Sequence, residues 1–213
     1  MLERIKNFLN IKSKNEELSP FERIDNMFDS LNSDIVQIQV GSDIISFEKT
    51  LFNVIGEIRE EIKSECGFII PPVKITDNNV LQENEYAIFI RGIKIKNGYL
   101  VPRSENIKIE IYEELKSTIY ENLDKIFTNE ITEKYINSVQ KNNSWLIWNV
   151  TNILSVIDIK TILTDIINKG QSIHNINYIF EKIGEEILAN GEYQNCSKRY
   201  NPHAIATRVS KLL

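Results

Sequence analysis

The chain holds little of what catalytic and metal sites are made from. Its 213 residues include two cysteines, two histidines and eight glycines. Cys66 and Cys196 lie far apart with no Cys or His at ligand spacing, which excludes a disulfide framework and a zinc motif and points to free thiols in a reducing compartment. His174 and His203 each stand away from any Ser, Cys or Asp at nucleophile–base spacing, so separate helix positions account for them better than catalysis does. The glycines are scattered, and neither a P-loop nor a dinucleotide fingerprint is present. No run approaches the ~18 apolar residues of a spanning helix. Met1 to Ile11 mixes Glu3, Arg4 and Lys6 with apolar residues and lacks the apolar core of a signal peptide. With 25 basic against 30 acidic residues the net charge is −5, which removes the electrostatic footprint of a nucleic-acid coat. These absences predict a soluble cytoplasmic protein without cofactor or metal, non-enzymatic, whose partners are proteins.

What is present is ordinary globular material, 42% hydrophobic and 26% charged, enough for one large domain or two small ones. Ser19-Pro20-Phe21-Glu22 is a capping box with Pro at the first helical position, and Phe21, Ile24, Met27, Phe28 and Leu31 follow at helical spacing. Val36, Ile38 and Val40 alternate with glutamines as a half-buried strand. Leu51, Ile55, Ile58 and Ile62 predict a helix from Lys49 to Cys66, with Gly67 where a left-handed cap is needed. Phe68 to Thr76 reads as extended, confined to an edge or a lead-in by Pro71 and Pro72. Glu85 to Ile95 reads as a strand with Tyr86, Ile88 and Ile90 on one face and a bulge or bend at Gly92. Asn97-Gly98 is the strongest hairpin signal and predicts a turn, with left-handed Gly98, into Tyr99 to Val101. Ile107, Ile109 and Ile111 alternate as another strand before Leu115, Ile119, Leu123 and Ile126 set a helical period.

Past Phe127 the pattern is short helices. One carries Ile131, Tyr135 and Val139; a second is capped by Ser144; a third runs from Ile159 to a stop at Lys169-Gly170. A fourth uses Ile173, Ile176, Phe180, Ile183 and Ile187, and a fifth opens at Asn201-Pro202. Trp145 and Trp148, three apart on one helix, are expected to be buried between helices, with the alternative that they anchor a partner. Residues 159 to 188 have the length of a helix-turn-helix, with Lys169 to Gln171 as the turn and Ser172 capping the next helix. The would-be recognition helix offers only Lys182 as a cation against Glu181, Glu185 and Glu186, which leaves phosphates without charged donors.

The run from Gly67 to Asn78, continued by Leu81, Asn84-Glu85-Tyr86, Ile88, Ile90, Gly92, Gly98 and Leu100, resembles the cytosolic domain of the flagellar/Hr/invasion protein export pore (FHIPEP) family. Gly41 and Ile58-Arg59 fit it too, as do Ile157-Asp158-Ile159, Gly170-Gln171-Ser172-Ile173, and Val209 with Leu212. The resemblance implies a bacterial export-gate domain that forms rings and docks chaperone and substrate complexes, with Ser117-Thr118 near a cleft-lining Thr. It departs from the family between Leu100 and Ile107, which leaves no room for an inserted second subdomain, and in lacking a membrane half. His174 and Asn175 stand where the family has Arg and Asp.

The reading is therefore an α+β chain in three parts: a helical segment over 1–33, a small mixed-sheet α/β sandwich over 34–127, and a compact all-helical subdomain over 128–213. Its expected function is a protein-interaction module of type III or flagellar export, with secretion substrate or chaperone as partner and a homo-oligomer as its assembly. The alternatives are a DNA-binding regulator acting through 159–188 and a stand-alone adaptor. The expected partner-binding residues are Phe21, Ile24, Phe28, Leu31, Thr118, Trp145 and Trp148.

Overall fold

A mixed four-stranded sheet and nine helices, counted among the described residues, make an α+β fold. The computed structural model describes residues 34–101, 107–190 and 200–213. The helix expected from the Ser19-Pro20 box lies outside them. The elements are β1 (Val36–Val40), α1 (Ser42–Ile45), α2 (Glu48–Cys66), β2 (Val73–Asp77), β3 (Glu85–Ile90), β4 (Ile93–Tyr99), α3 (Ile107–Glu121), α4 (Leu123–Ile126), α5 (Asn129–Gln140), α6 (Ser144–Thr151), α7 (Val156–Asn168), α8 (Ile176–Asn190) and α9 (Pro202–Val209). Residues 34–213 form one compact unit.

The sheet order is β2-β1-β3-β4, with β2 parallel to β1 and the other pairs antiparallel. Val36, Ile38 and Val40 lie opposite Ile90, Ile88 and Tyr86, so one face is a continuous buried apolar surface. The other face of β1 is polar. Gln37 Nε2 donates to Thr76 Oγ1 (3.0 Å), and Asn78 Nδ2 donates to Gln39 Oε1 (2.7 Å). The period-two pattern of β1 thus divides an apolar face from an amide ladder.

Three sequence expectations fail here. Asn97-Gly98 is not a turn but lies inside β4, paired with Ala87 and Tyr86. The hairpin turns at Arg91-Gly92 instead, where both residues have positive φ (50° and 75°), as a two-residue primed turn requires. A turn at Asn97-Gly98 would leave only three residues for the returning strand, whereas the turn at Arg91-Gly92 gives β4 seven. The register shifts by one between Ile88 and Phe89, which leaves Ile95 as the extra residue of a bulge. Gly98 is required for a different reason: a Cβ there would lie 2.8 to 3.0 Å from the ring and hydroxyl of Tyr86.

The strand expected at Ile107 to Ile111 is the first part of α3. Ile111, Leu115 and Ile119 are buried at four-residue spacing, while Ile109 is 60% exposed, so the longer helical period prevails over a five-residue alternation. Lys108 confirms the helical register by reaching Glu57 of α2 at 2.7 Å. Further along, Asn143 rather than Ser144 caps α6, accepting from the Leu146 N–H (3.1 Å). Asn201 caps α9 with Pro202 at its first position, as expected. Ser155 and Asp158 form a complete capping box on α7.

Gly67 ends α2 with φ 77°, and its N–H bonds the Lys63 carbonyl (2.9 Å). A Cβ at Gly67 would lie 2.6 Å from the His174 nitrogen and 2.9 Å from the Ile173 carbonyl carbon, both backbone atoms that cannot swing aside. Gly56, in the middle of α2, has nothing within 4 Å of its would-be Cβ. Gly67→Ala is therefore expected to lower the unfolding free energy by about 2–4 kcal/mol. Gly56→Ala should raise it by about 0.5–1 kcal/mol. Denaturant midpoints decide, and equal effects at the two sites would refute the junction. In the sheet, Gly98→Ala is expected to cost about 1–3 kcal/mol by overpacking against Tyr86. A double-mutant cycle with Tyr86→Leu should recover part of that cost; strict additivity would show that the ring is not the cause.

Candidate functional site

The chain leaving α2 cannot enter the sheet at once, because Pro71 and Pro72 bring no N–H to a ladder. Residues 67–72 are held instead by Tyr135 of α5. Its hydroxyl donates to the Gly67 carbonyl (2.7 Å) and accepts from the Ile69 N–H (3.0 Å). The Tyr135 ring stacks on Phe127 (centroids 5.6 Å apart), and Phe127 stacks on Phe68 (5.0 Å). Burial pushes the Tyr135 hydroxyl up to about 12, against the smaller opposing effect of the Ile69 N–H.

Beside this clamp lies a cleft of about 390 Å³. Ile35, Ile69, Ile70, Pro71, Pro72, Ile131 and Tyr135 give it an apolar lining, completed by Arg59, Glu130, Lys134 and Ser138. Lys134 pairs with Glu130 at 2.6 Å. Ile69 stays 56% exposed although it is flanked by buried Phe68 and Ile70. Neither histidine lies in the lining, and the chemistry the cleft offers is reception of apolar side chains beside a few charges. The expected partner-binding residues do not include this cleft. Its signals were the paired prolines and an isoleucine with no strand or helix to justify it.

A second, polar recess of about 440 Å³ is lined by Asp124, Asn129, Lys160, Thr161, Thr164, Asp165 and His203 among others. Here the fold joins residues that the sequence keeps apart. His203 Nδ1 lies 2.6 Å from Asp165 Oδ2, tying α9 to α7. The Thr161 and Thr164 hydroxyls are committed to backbone carbonyls, so neither offers the pair a free nucleophile. Lys160 is lowered by burial first and by Arg91 second.

Of the residues expected to bind partners, Phe21, Ile24, Phe28 and Leu31 lie outside the described residues. Thr118 is 1% exposed and its hydroxyl donates to the Glu114 carbonyl (2.7 Å), so its side chain faces the core and not a docking surface. Trp145 and Trp148 are 71% and 63% exposed, which overturns the expectation of burial. The inward side of α6 is already filled by Leu146, Ile147 and Val150, and the helical period turns both indoles away from it. Nor do α7 and α8 pack as the alternative reading, a helix-turn-helix, would have them. Residues 169–175 join them, Asn175 rather than Ser172 accepts from the first turn of α8 (Tyr178 N–H, 3.3 Å), and α7 packs chiefly on α9 while α8 packs on α6 and α9.

Tyr135→Phe should cost about 1–3 kcal/mol, because it orphans a carbonyl and an N–H together. Alkaline unfolding supplies the sign. A tyrosine raised above its unfolded value of about 10 keeps its proton longer in the fold, so stability falls as pH rises from about 10 to about 12. Tyr86, raised by burial to about 12, titrates in the same window, so the Phe variant should flatten the loss only in part. An unchanged pH profile would count against the clamp.

The FHIPEP family model matches residues 4–110. The flagellar biosynthesis protein FlhA of Bacillus subtilis is 25% identical over 226 aligned residues, covering 82% of this chain and 33% of FlhA, so the chain spans about a third of that relative. Among solved structures, the Chlamydia pneumoniae CdsV protein, also solved with CdsO, superposes with a TM-score of 0.68 at 11% identity over 83% of this chain and 65% of that one. The nonameric EscV cytosolic domain from the type III secretion system gives 0.63 at 13% identity over 91% and 65%. The identities to the solved structures show a shared fold, and the family match covers half of the chain, the whole sheet included. The chain belongs to the FHIPEP family.

Proposed function

We propose that this chain is a domain of a flagellar or type III export gate, working at the cytoplasmic side and docking protein partners, secretion substrates or their chaperones, at the apolar cleft beside Tyr135. The observation that carries the reading is that cleft. It is large enough for one or two apolar side chains, and one wall of it, Ile35, Arg59 and residues 69–72, lies within the residues that match an export family. Self-association belongs to the same proposal, since EscV is nonameric, while CdsV solved with a second protein, CdsO, supports a protein partner. The helix expected from Phe21, Ile24, Phe28 and Leu31 is its proposed linking segment. Deletion of residues 1–33 should then change the oligomeric mass by light scattering while leaving a cooperative melt. The division of residues 34–213 at Phe127 into a sheet half and a helical half is likewise proposed, with the cleft lined from both.

Ile69→Glu tests the docking. Ile69 is exposed, so the variant should melt as the parent does. Binding of chaperone–substrate complexes from the same cell's export system, measured by calorimetry, should weaken roughly tenfold or more. Unchanged binding would move docking elsewhere. Failure of the parent chain to bind any such complex would favour an adaptor of another system.

A further inference from the structure

Residues 142–157 hold no Asp, Glu, Lys or Arg, in a chain that is 26% charged overall. Helix α6 lies wholly within this run. One side of it is buried, with Leu146 closing on Gly184 of α8. The other side presents Trp145 and Trp148, and next to them the Asn149 amide donates back to the Trp145 carbonyl (3.0 Å). Two exposed indoles on an uncharged helix are an interaction surface, and the charge pattern identifies the occupant.

We propose that this face pairs with a second copy of the chain, α6 against α6 across a two-fold axis. Each copy carries a net charge of −5, so two copies repel on average, and a face without charge adds nothing to that repulsion. An anionic lipid surface would find no cation in the run that carries the tryptophans, and so no basic cluster within it. Antiparallel packing of two such helices sets Trp145 over the partner's Trp148 and Trp148 over the partner's Trp145. One contact is thereby made twice, as an isologous interface requires, with rings free to stack in offset or edge-to-face geometry. At roughly 150–250 Å² per aromatic side chain, four indoles bury on the order of 600–1,000 Å². That lies at the low end for a specific interface, so the dimer is weak and concentration-dependent. A two-fold contact closes on itself whereas a ring needs two different surfaces, so this pairing is independent of the assembly proposed above.

The chain has just two tryptophans and both lie on this face, so its tryptophan emission reads this surface directly. In a dilution series of the full chain, emission should shift to the blue and quenching by acrylamide should fall as concentration rises, in step with a monomer-to-dimer increase in mass by sedimentation. High salt should leave the midpoint unchanged or strengthen the dimer. Trp145→Ala, which keeps Trp148 as reporter, and Trp148→Ala, which keeps Trp145, should each weaken pairing roughly tenfold or more without changing the melt. Water-exposed emission at every concentration overturns the proposal. So does a rise in mass with emission unchanged, which would leave ring assembly standing through other residues.

Discussion

The backbone at Gly67 passes so close to the backbone at Ile173 and His174 that no side chain fits between them, and the rest of the molecule is arranged around that crossing. The Ile173 N–H donates to the Cys66 carbonyl (2.8 Å), and His174 Nε2 lies 3.0 Å from the Ser64 carbonyl oxygen. The C-terminal end of α2 is thus capped by the segment that leads into α8. Tyr135 holds the other side of the same glycine, and the Phe68, Phe127 and Tyr135 rings fill the space between. The cleft exists because this clamp keeps Ile69 and the two prolines out of both the sheet and the core.

Charge plays a different part from burial in joining α2 to α3. Lys116 reaches Glu61 (2.8 Å) and Glu65 (3.2 Å), and Tyr120 donates to Glu65 at 2.5 Å. The Tyr120 hydrogen bond is the main reason the Glu65 carboxyl sits below its ordinary range, with Lys116 adding to it. Such exposed pairs are each worth about 0–1 kcal/mol. Burying an isoleucine or leucine such as Ile111, Leu115 or Ile119 contributes about 1.5–3 kcal/mol. The apolar stripe therefore holds the helices together, and the charges select the register in which they meet.

Much of the fold was legible in local chemistry. The β1 alternation, the α2 stripe with its glycine cap, the Gly170 stop and the Asn201-Pro202 start all appear in the structure at the positions the sequence assigns. The misses share a cause. Asn97-Gly98 and the Ile107 to Ile111 alternation are strong local signals that lose to longer-range terms: a seven-residue strand ladder in the first case and a fifteen-residue helical stripe in the second. Trp145 and Trp148 were misjudged because hydrophobicity alone does not say which side of a short helix its neighbours will occupy.

The sequence by itself determined the class of fold, the order of most elements, the net negative charge and the family resemblance, because each depends on residue type and spacing along one dimension. Tertiary structure alone decided where the chain turns in its hairpin, which side of α6 faces outward, that Thr118 points into the core, and that His203 meets Asp165. It also decided that residues 67–72, α2 and α5 enclose a cleft. Each of these depends on which segments, distant in sequence, compete for the same apolar space, and that competition is settled only when the core closes.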